Sequence, residues 1–184
     1  YGVESMTSNE SQREQLGSAR WYDSACYTDT VIEYPVEKVW PHAFNINSWL
    51  VGGGFDSQTI AGEQGKAGHL IKILAHGMGD ETPRPHYHFC KLTEVIPHRL
   101  FTIKGFSEEG GSYGRPQHRS YENFLLTEEN GHTRVSLIYN VERLIKTAQD
   151  KDRIEAIVRD EKKTFANMDT YWDKLKQLVK SSHE

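Results

Sequence analysis

The chain is poor in cysteine. Only Cys26 and Cys90 stand among its 184 residues. That argues against a disulfide framework and for a reducing compartment such as the cytoplasm. Long apolar runs are missing too. The longest span a few residues, against the roughly 20 that a membrane helix requires, so no membrane span is expected. Positive charge is not in excess. Lys and Arg number 22 against 26 Asp and Glu, a net charge of −4, which leaves no electrostatic footprint for a nucleic-acid partner. The sequence has no G-x-S-x-G elbow and no phosphate-cradling loop. The glycines at 52–54 lack the Lys-Ser/Thr that would follow in such a loop. No nucleophile stands out, because Cys90 has no evident base beside it and Cys26 lies near the start of the fold.

What is present is a long amphipathic stretch, Arg153 to Lys180. Ile154, Ile157, Val158, Phe165, Met168, Trp172, Leu175 and Val179 fall on one helical stripe, within about 60° of a line at 100° per residue. Lys162, Lys163, Asp173 and Lys174 lie off it. Such a helix must cover something. Glu161 interrupts the stripe between Val158 and Phe165. A carboxylate there is covered at high cost, faces a cavity, or bends out to Arg159 or Lys162. Asp150 or Asp152 can cap the helix, and Asp152 to Glu155 has capping-box spacing.

Residues 1–19 are polar and too poor in apolar groups to order themselves, so they read as a tail before a domain over 20–184. Cys26–Tyr34 reads as a strand ended by Pro35, which suits a first helical position. Val36, Val39, Trp40, Ala43 and Phe44 follow at helical spacing, with Pro41 keeping the element short or kinked. Ile46, Trp49, Leu50 and Val51 form a second short helix. From Phe55 the period changes to two. Strands are expected over Phe55–Ile60, Gly68–Ala75, His86–Val95, Leu100–Gly105, His118–Thr127 and Thr133–Val141. Asn130-Gly131 marks a tight hairpin. Gly77–Pro85 and Ser107–Pro116 read as loops. The fold class expected is α+β: a curved seven-stranded antiparallel sheet wrapped around the long C-terminal helix, with two short helices after the first strand.

On the penultimate strand Tyr121, Asn123 and Leu125 share one face and Glu122, Phe124 and Leu126 the other; the second set is favoured as the inner one. On the last strand Val135, Leu137, Tyr139 and Val141 form the apolar face, which turns the Tyr139 hydroxyl inward. His86, His88 and Cys90 share one strand face, half of a metal site. The set lacks a further ligand, for which His69, His76 or His118 would have to serve, and nine histidines make a chance pair easy. The favoured reading is a solvated face opposite Tyr87 and Phe89, with no metal and no cofactor.

This order of elements resembles the START/Bet v 1-like superfamily, also called SRPBCC and polyketide cyclase/dehydrase-like. The resemblance rests on Tyr34-Pro35-Val36-Glu37-Lys38-Val39-Trp40 at the entry to the first helix, on Trp49, on the Gly65–Gly68 turn and on the Leu92–Leu100 hairpin. It spans roughly residues 25–182, while Pro41 and the Gly77–Pro85 loop depart from the pattern. The resemblance implies a deep cavity between sheet and helix for lipids, sterols, polyketides or plant metabolites. The expected partner is a hydrophobic or aromatic small molecule touching Trp49, His69, Phe101, Phe124, Phe165 and Met168. A homodimer is left open. If the protein is an enzyme, Glu161, Tyr139 and Glu122 would supply acid/base chemistry for cyclisation, dehydration or hydrolysis. The alternative is a non-catalytic carrier or sensor using the same groups to orient its ligand.

Overall fold

The computed structural model describes residues 20–50, 56–76, 85–107 and 117–184. The expected tail, the glycines at 52–54 and the expected loops lie outside them, save Pro85 and Ser107, which are strand residues. Strand β1 (Arg20–Ile32) is followed by helices α1 (Val36–Phe44) and α2 (Ile46–Trp49). Six strands come next: β2 (Asp56–Ala61), β3 (Leu70–His76), β4 (Pro85–Ile96), β5 (Leu100–Ser107), β6 (His118–Glu129) and β7 (His132–Ile145). Helices α3 (Ala148–Ala166) and α4 (Asp169–Ser181) complete the chain. The strands make one antiparallel sheet of seven in the order β1-β7-β6-β5-β4-β3-β2. Register slips between Thr59 and Ala61 and between Leu92 and Glu94. Such irregularities bend strands, which suits a sheet that must curve around helices.

The hairpins follow local chemistry. Asn130 (φ 55°) and Gly131 (φ 79°) join β6 to β7, the pair of positive φ angles that a two-residue turn requires. Thr133 Oγ1 donates to the Tyr34 carbonyl at 2.7 Å, and the Glu128 carboxylate accepts the Val36 N–H at 2.8 Å. The hairpin thus holds the start of α1. Pro35 is the residue before that helix rather than its first, and α1 runs through Pro41.

Two expectations for the terminal stretch need correction. It is two helices, not one. Asn167 leaves helical geometry (φ −118°, ψ 29°), and its side-chain N–H donates back to the Lys163 carbonyl at 2.8 Å. A short amide competing for backbone carbonyls ends the helix there, and helix resumes at Asp169. The apolar stripe survives the break: Ile154, Val158, Met168, Trp172, Leu175 and Val179 are all buried. The cap also differs. Thr147, not Asp150 or Asp152, is the N-cap. Its Oγ1 accepts the Asp150 N–H at 3.1 Å, while the Asp150 carboxylate accepts the Thr147 N–H at 2.8 Å. Asp150 thus takes the far position of a box that begins at Thr147, because the helix starts earlier than its apolar stripe.

Helix α3 lies chiefly on β1 and β7, and α4 on α1 and α2. At the α4 end an aromatic chain runs through Phe44, Phe101, Phe124, Trp49 and Trp172, with successive centroids 5.1, 4.5, 6.1 and 5.1 Å apart. Trp49 Nε1 donates to the Ala43 carbonyl at 3.2 Å and Trp172 Nε1 to Thr28 Oγ1 at 3.0 Å. Burying both indoles with their N–H groups satisfied costs no orphaned donor.

Replacing Thr147 by Ala should lower unfolding free energy by about 1 kcal/mol through loss of the cap. Asp152→Ala should leave it nearly unchanged. Urea denaturation of both variants checks the assignment.

Candidate functional site

Cross-strand register sorts the sheet into faces. One inner row runs Cys26, Tyr139, Glu122, Ile103 and Leu92 from β1 to β4. The next runs Ser24, Val141, Ser120, Gly105 and Cys90, and the one beyond it ends in Arg143 and His118. A fourth row, on the other side of the first, carries Thr28, Leu137, Phe124 and Phe101. Glu122, Phe124 and Leu126 are therefore the inner set of β6, and Leu125 is exposed at 37%. The outer face carries Phe89 and Phe106, stacked at 5.5 Å, with Lys72 over Phe89 at 5.9 Å.

The two ends of the inner face differ. Trp49, Phe101 and Phe124 are sealed, each at 0% exposure, and Met168 at the helix break is buried with them. They hold the core together and present no surface to a ligand in this conformation. Toward the other end Cys26, Tyr139, Glu122, Leu92, Cys90 and Phe165 all keep partial exposure, although they stand on the covered face of the sheet. The Ser24–Cys90 row is built of small side chains; a Cβ on Gly105 would come within 2.4 Å of Ser120 Oγ. His69 is buried at the far side, its Nε2 3.1 Å from Thr59 Oγ1.

Glu161 turns inward. It pairs with Arg143 from β7, whose side chain is only 6% exposed. Arg143 Nη1 also donates to Ser24 Oγ at 3.1 Å. Neither Arg159 nor Lys162 is the partner that sequence proximity offered. Arg143 carries no signal of this in the sequence. It sits in register beyond Val141 on the inner face, but a lone arginine near a strand end reads as solvent-facing. Burial lifts the Glu161 carboxyl above its ordinary value, and the guanidinium offsets part of that. Tyr139 lies against Phe165, centroids 5.5 Å apart and nearly parallel. Burial, with the Glu161 and Glu122 charges, raises its hydroxyl well above the usual phenol range.

Glu122 is different. Among the described residues no cation and no hydrogen-bond donor reaches its carboxyl. Burial alone pushes it up to about 7. The residue is half-buried, and since no buried side-chain oxygen among the described residues lacks a partner, its carboxyl oxygens keep accessible surface. Cys90 is beside it, its thiol pushed up to about 12 by burial and then by the Glu122 charge. A protonated thiol is a poor metal ligand and a poor nucleophile. Cys90 thus stands on the inner face, not on a solvated one, while the side chains of His86 and His88 lie outside the described residues. Among the described residues no group of three or more His, Cys, Asp or Glu could hold a metal ion.

A curved antiparallel sheet closed by terminal helices is a helix-grip fold. No family model matches the chain, and no curated protein matches it by sequence. Solved structures do match its shape. An uncharacterized protein from Rhizobium leguminosarum superposes with a TM-score of 0.56 at 11% identity, over 90% of this chain and 99% of that one. A conserved protein from Geobacillus kaustophilus gives 0.56 at 12% identity, over 89% and 98%. Ara h 8.0201 gives 0.55 at 10% identity, over 87% and 99%. Likenesses this remote in sequence concern the fold alone. No helix among the described residues is long and apolar enough to cross a membrane.

Arg143→Met should cost about 3–5 kcal/mol, because it leaves Glu161 partly buried without its cation. Adding Glu161→Gln should recover most of that loss, as read by thermal unfolding of the single and double variants. A second expectation concerns pH. The Glu122 carboxyl titrates higher in the folded chain than the ordinary value of 4.5. The folded state then holds a proton that the unfolded state releases, so its contribution is full below pH 4.5 and lost as pH rises through about 7. Glu122→Gln should therefore stabilise the protein by about 1–3 kcal/mol at pH 8.5 and hardly at all at pH 4.5, compared by calorimetry.

Proposed function

We propose that this protein binds a hydrophobic or aromatic small molecule in a hollow between the inner face of β4–β7 and helix α3. The observation that carries the reading is the Glu122 carboxyl on a covered sheet face, reached by no cation or donor among the described residues and set beside Tyr139, Ile103 and Cys90. Leaving a carboxyl without a partner in a packed core costs several kcal/mol; a ligand group or interior water removes that cost. Ser24, Ser120 and Gly105 in the neighbouring row carry no large side chain toward it. Helix α3 lies toward β1 and β7, so the apolar wall of β4 and β5 is available to the ligand. Phe165 and Tyr139 offer it stacked rings, and His69 sits at the far side.

Acid/base catalysis is the second reading, and one observation favours it. A carboxyl that titrates near 7 is matched to proton transfer at neutral pH, and the raised phenol of Tyr139 beside it can donate a hydrogen bond to a developing oxyanion. On this reading Glu122 is the acid or base. Glu161 holds Arg143 and positions the wall, in place of the proton-transfer role that its place in the helical stripe suggests. Cyclisation, dehydration and hydrolysis all fit such a pair; a carrier needs only the binding.

Filling the hollow tests the reading. Leu92→Trp should fold with little change in Tm and lose any small molecule that native mass spectrometry finds on the purified wild-type protein. A solid core would instead lose about 1–3 kcal/mol to overpacking, and that result, with no bound molecule, would remove the proposal. For the catalytic reading, Glu122→Gln should abolish turnover of an identified ligand while its affinity changes little.

A further inference from the structure

The inner face has two carboxylates and one guanidinium among its described residues. Arg143 donates to Glu161 and to Ser24 Oγ. Tyr139 stands between that pair and Glu122 in the inner row, and its hydroxyl feels both acids. When ionised, Glu122 is therefore an uncompensated negative charge with a phenol beside it and an aromatic ring pair, Tyr139–Phe165, a strand away. Groups of that kind recognise a cation: the carboxylate supplies charge-assisted hydrogen bonds, and the ring faces supply their negative quadrupole. An anionic ligand would meet repulsion from both carboxylates, and the charge of the one guanidinium is already paired with Glu161. Resting on the ligand reading above, we infer that the hollow selects a hydrophobic amine, whose protonated nitrogen sits on Glu122 while its apolar body lies against Leu92, Ile103 and Phe165.

The affinity for an amine then depends on the charge of Glu122. The groups facing it are Cys90 from β4 and Tyr139 from β7, with Glu161 and Arg143 beyond. Burial keeps the protons of Cys90 and Tyr139 in place at neutral pH, and it raises Glu161 too, against the pull of Arg143. Glu122 is pushed up to about 7. His69 and His118 share the inner face, and His69 is engaged by Thr59. Glu122→Gln separates their titration from that of the carboxyl.

The test uses one aromatic skeleton in three charge states: 2-phenylethylamine, 2-phenylethanol and 3-phenylpropionate, titrated calorimetrically into the full chain at pH 6 and pH 8. The amine should bind about tenfold tighter than the alcohol at pH 8 and about tenfold weaker at pH 6 than at pH 8, because only the ionised fraction of Glu122 is competent. The acid should bind weakest. Glu122→Gln should bring amine and alcohol to equal affinity and flatten the pH dependence, with the alcohol unaffected. Alcohol or acid binding as tightly as the amine to the wild-type chain would overturn the inference and leave the ligand reading standing. So would an amine preference that survives Glu122→Gln. Failure of all three probes and of the apolar dye 1-anilinonaphthalene-8-sulfonate to bind would remove both.

Discussion

The structure depends on how its terminal helices are anchored to a one-sided sheet. A seven-stranded sheet with one apolar face must cover that face. Here the cover is fastened at two places by different physics. At one end Trp172 slots against Trp49 and reaches Thr28 on β1. At the other, Glu161 meets Arg143 from β7. Dispersion and area burial secure the first, while charge secures the second. The break at Asn167 lies between them, which lets each half of the cover meet its own anchor without one straight rod serving both.

That division accounts for the contrast along the inner face. The aromatic end is close-packed, and Trp49, Phe101 and Phe124 leave no accessible surface. The polar end is held by an ion pair at its margin, which ties α3 to β7. The same arrangement sets the electrostatics. Arg143 stabilises the charge of Glu161, while Glu122 is left with burial alone. Two carboxylates of like sequence character thus acquire different chemistry because one has a cation in register and the other does not.

Much of the fold was legible because its signals are local. Period-two runs marked the strands, Asn130-Gly131 their last hairpin, and the stripe from Ile154 to Val179 the covering helices. On β6 the alternation narrowed the inner set to two choices, and grouping Glu122 with Phe124 and Leu126 was the one the sheet adopts. The Thr147 cap was missed because it precedes the apolar stripe from which the helix start was judged. The break at Asn167 was missed because the stripe keeps its phase across it.

Periodicity, turns and the need to cover one face are properties of neighbours in the chain, and the sequence alone determines them: an α+β helix-grip protein with acids and a tyrosine on its inner side. Tertiary structure decided which of those acids is satisfied. Arg143 and Glu161 are 18 residues apart on different elements, and only the angle at which α3 crosses β7 brings them together. Trp49, Phe101 and Phe124 likewise read as ligand contacts until packing closed them into the core. Burial and charge pairing depend on what lies across a gap, and spacing along the chain carries no record of that.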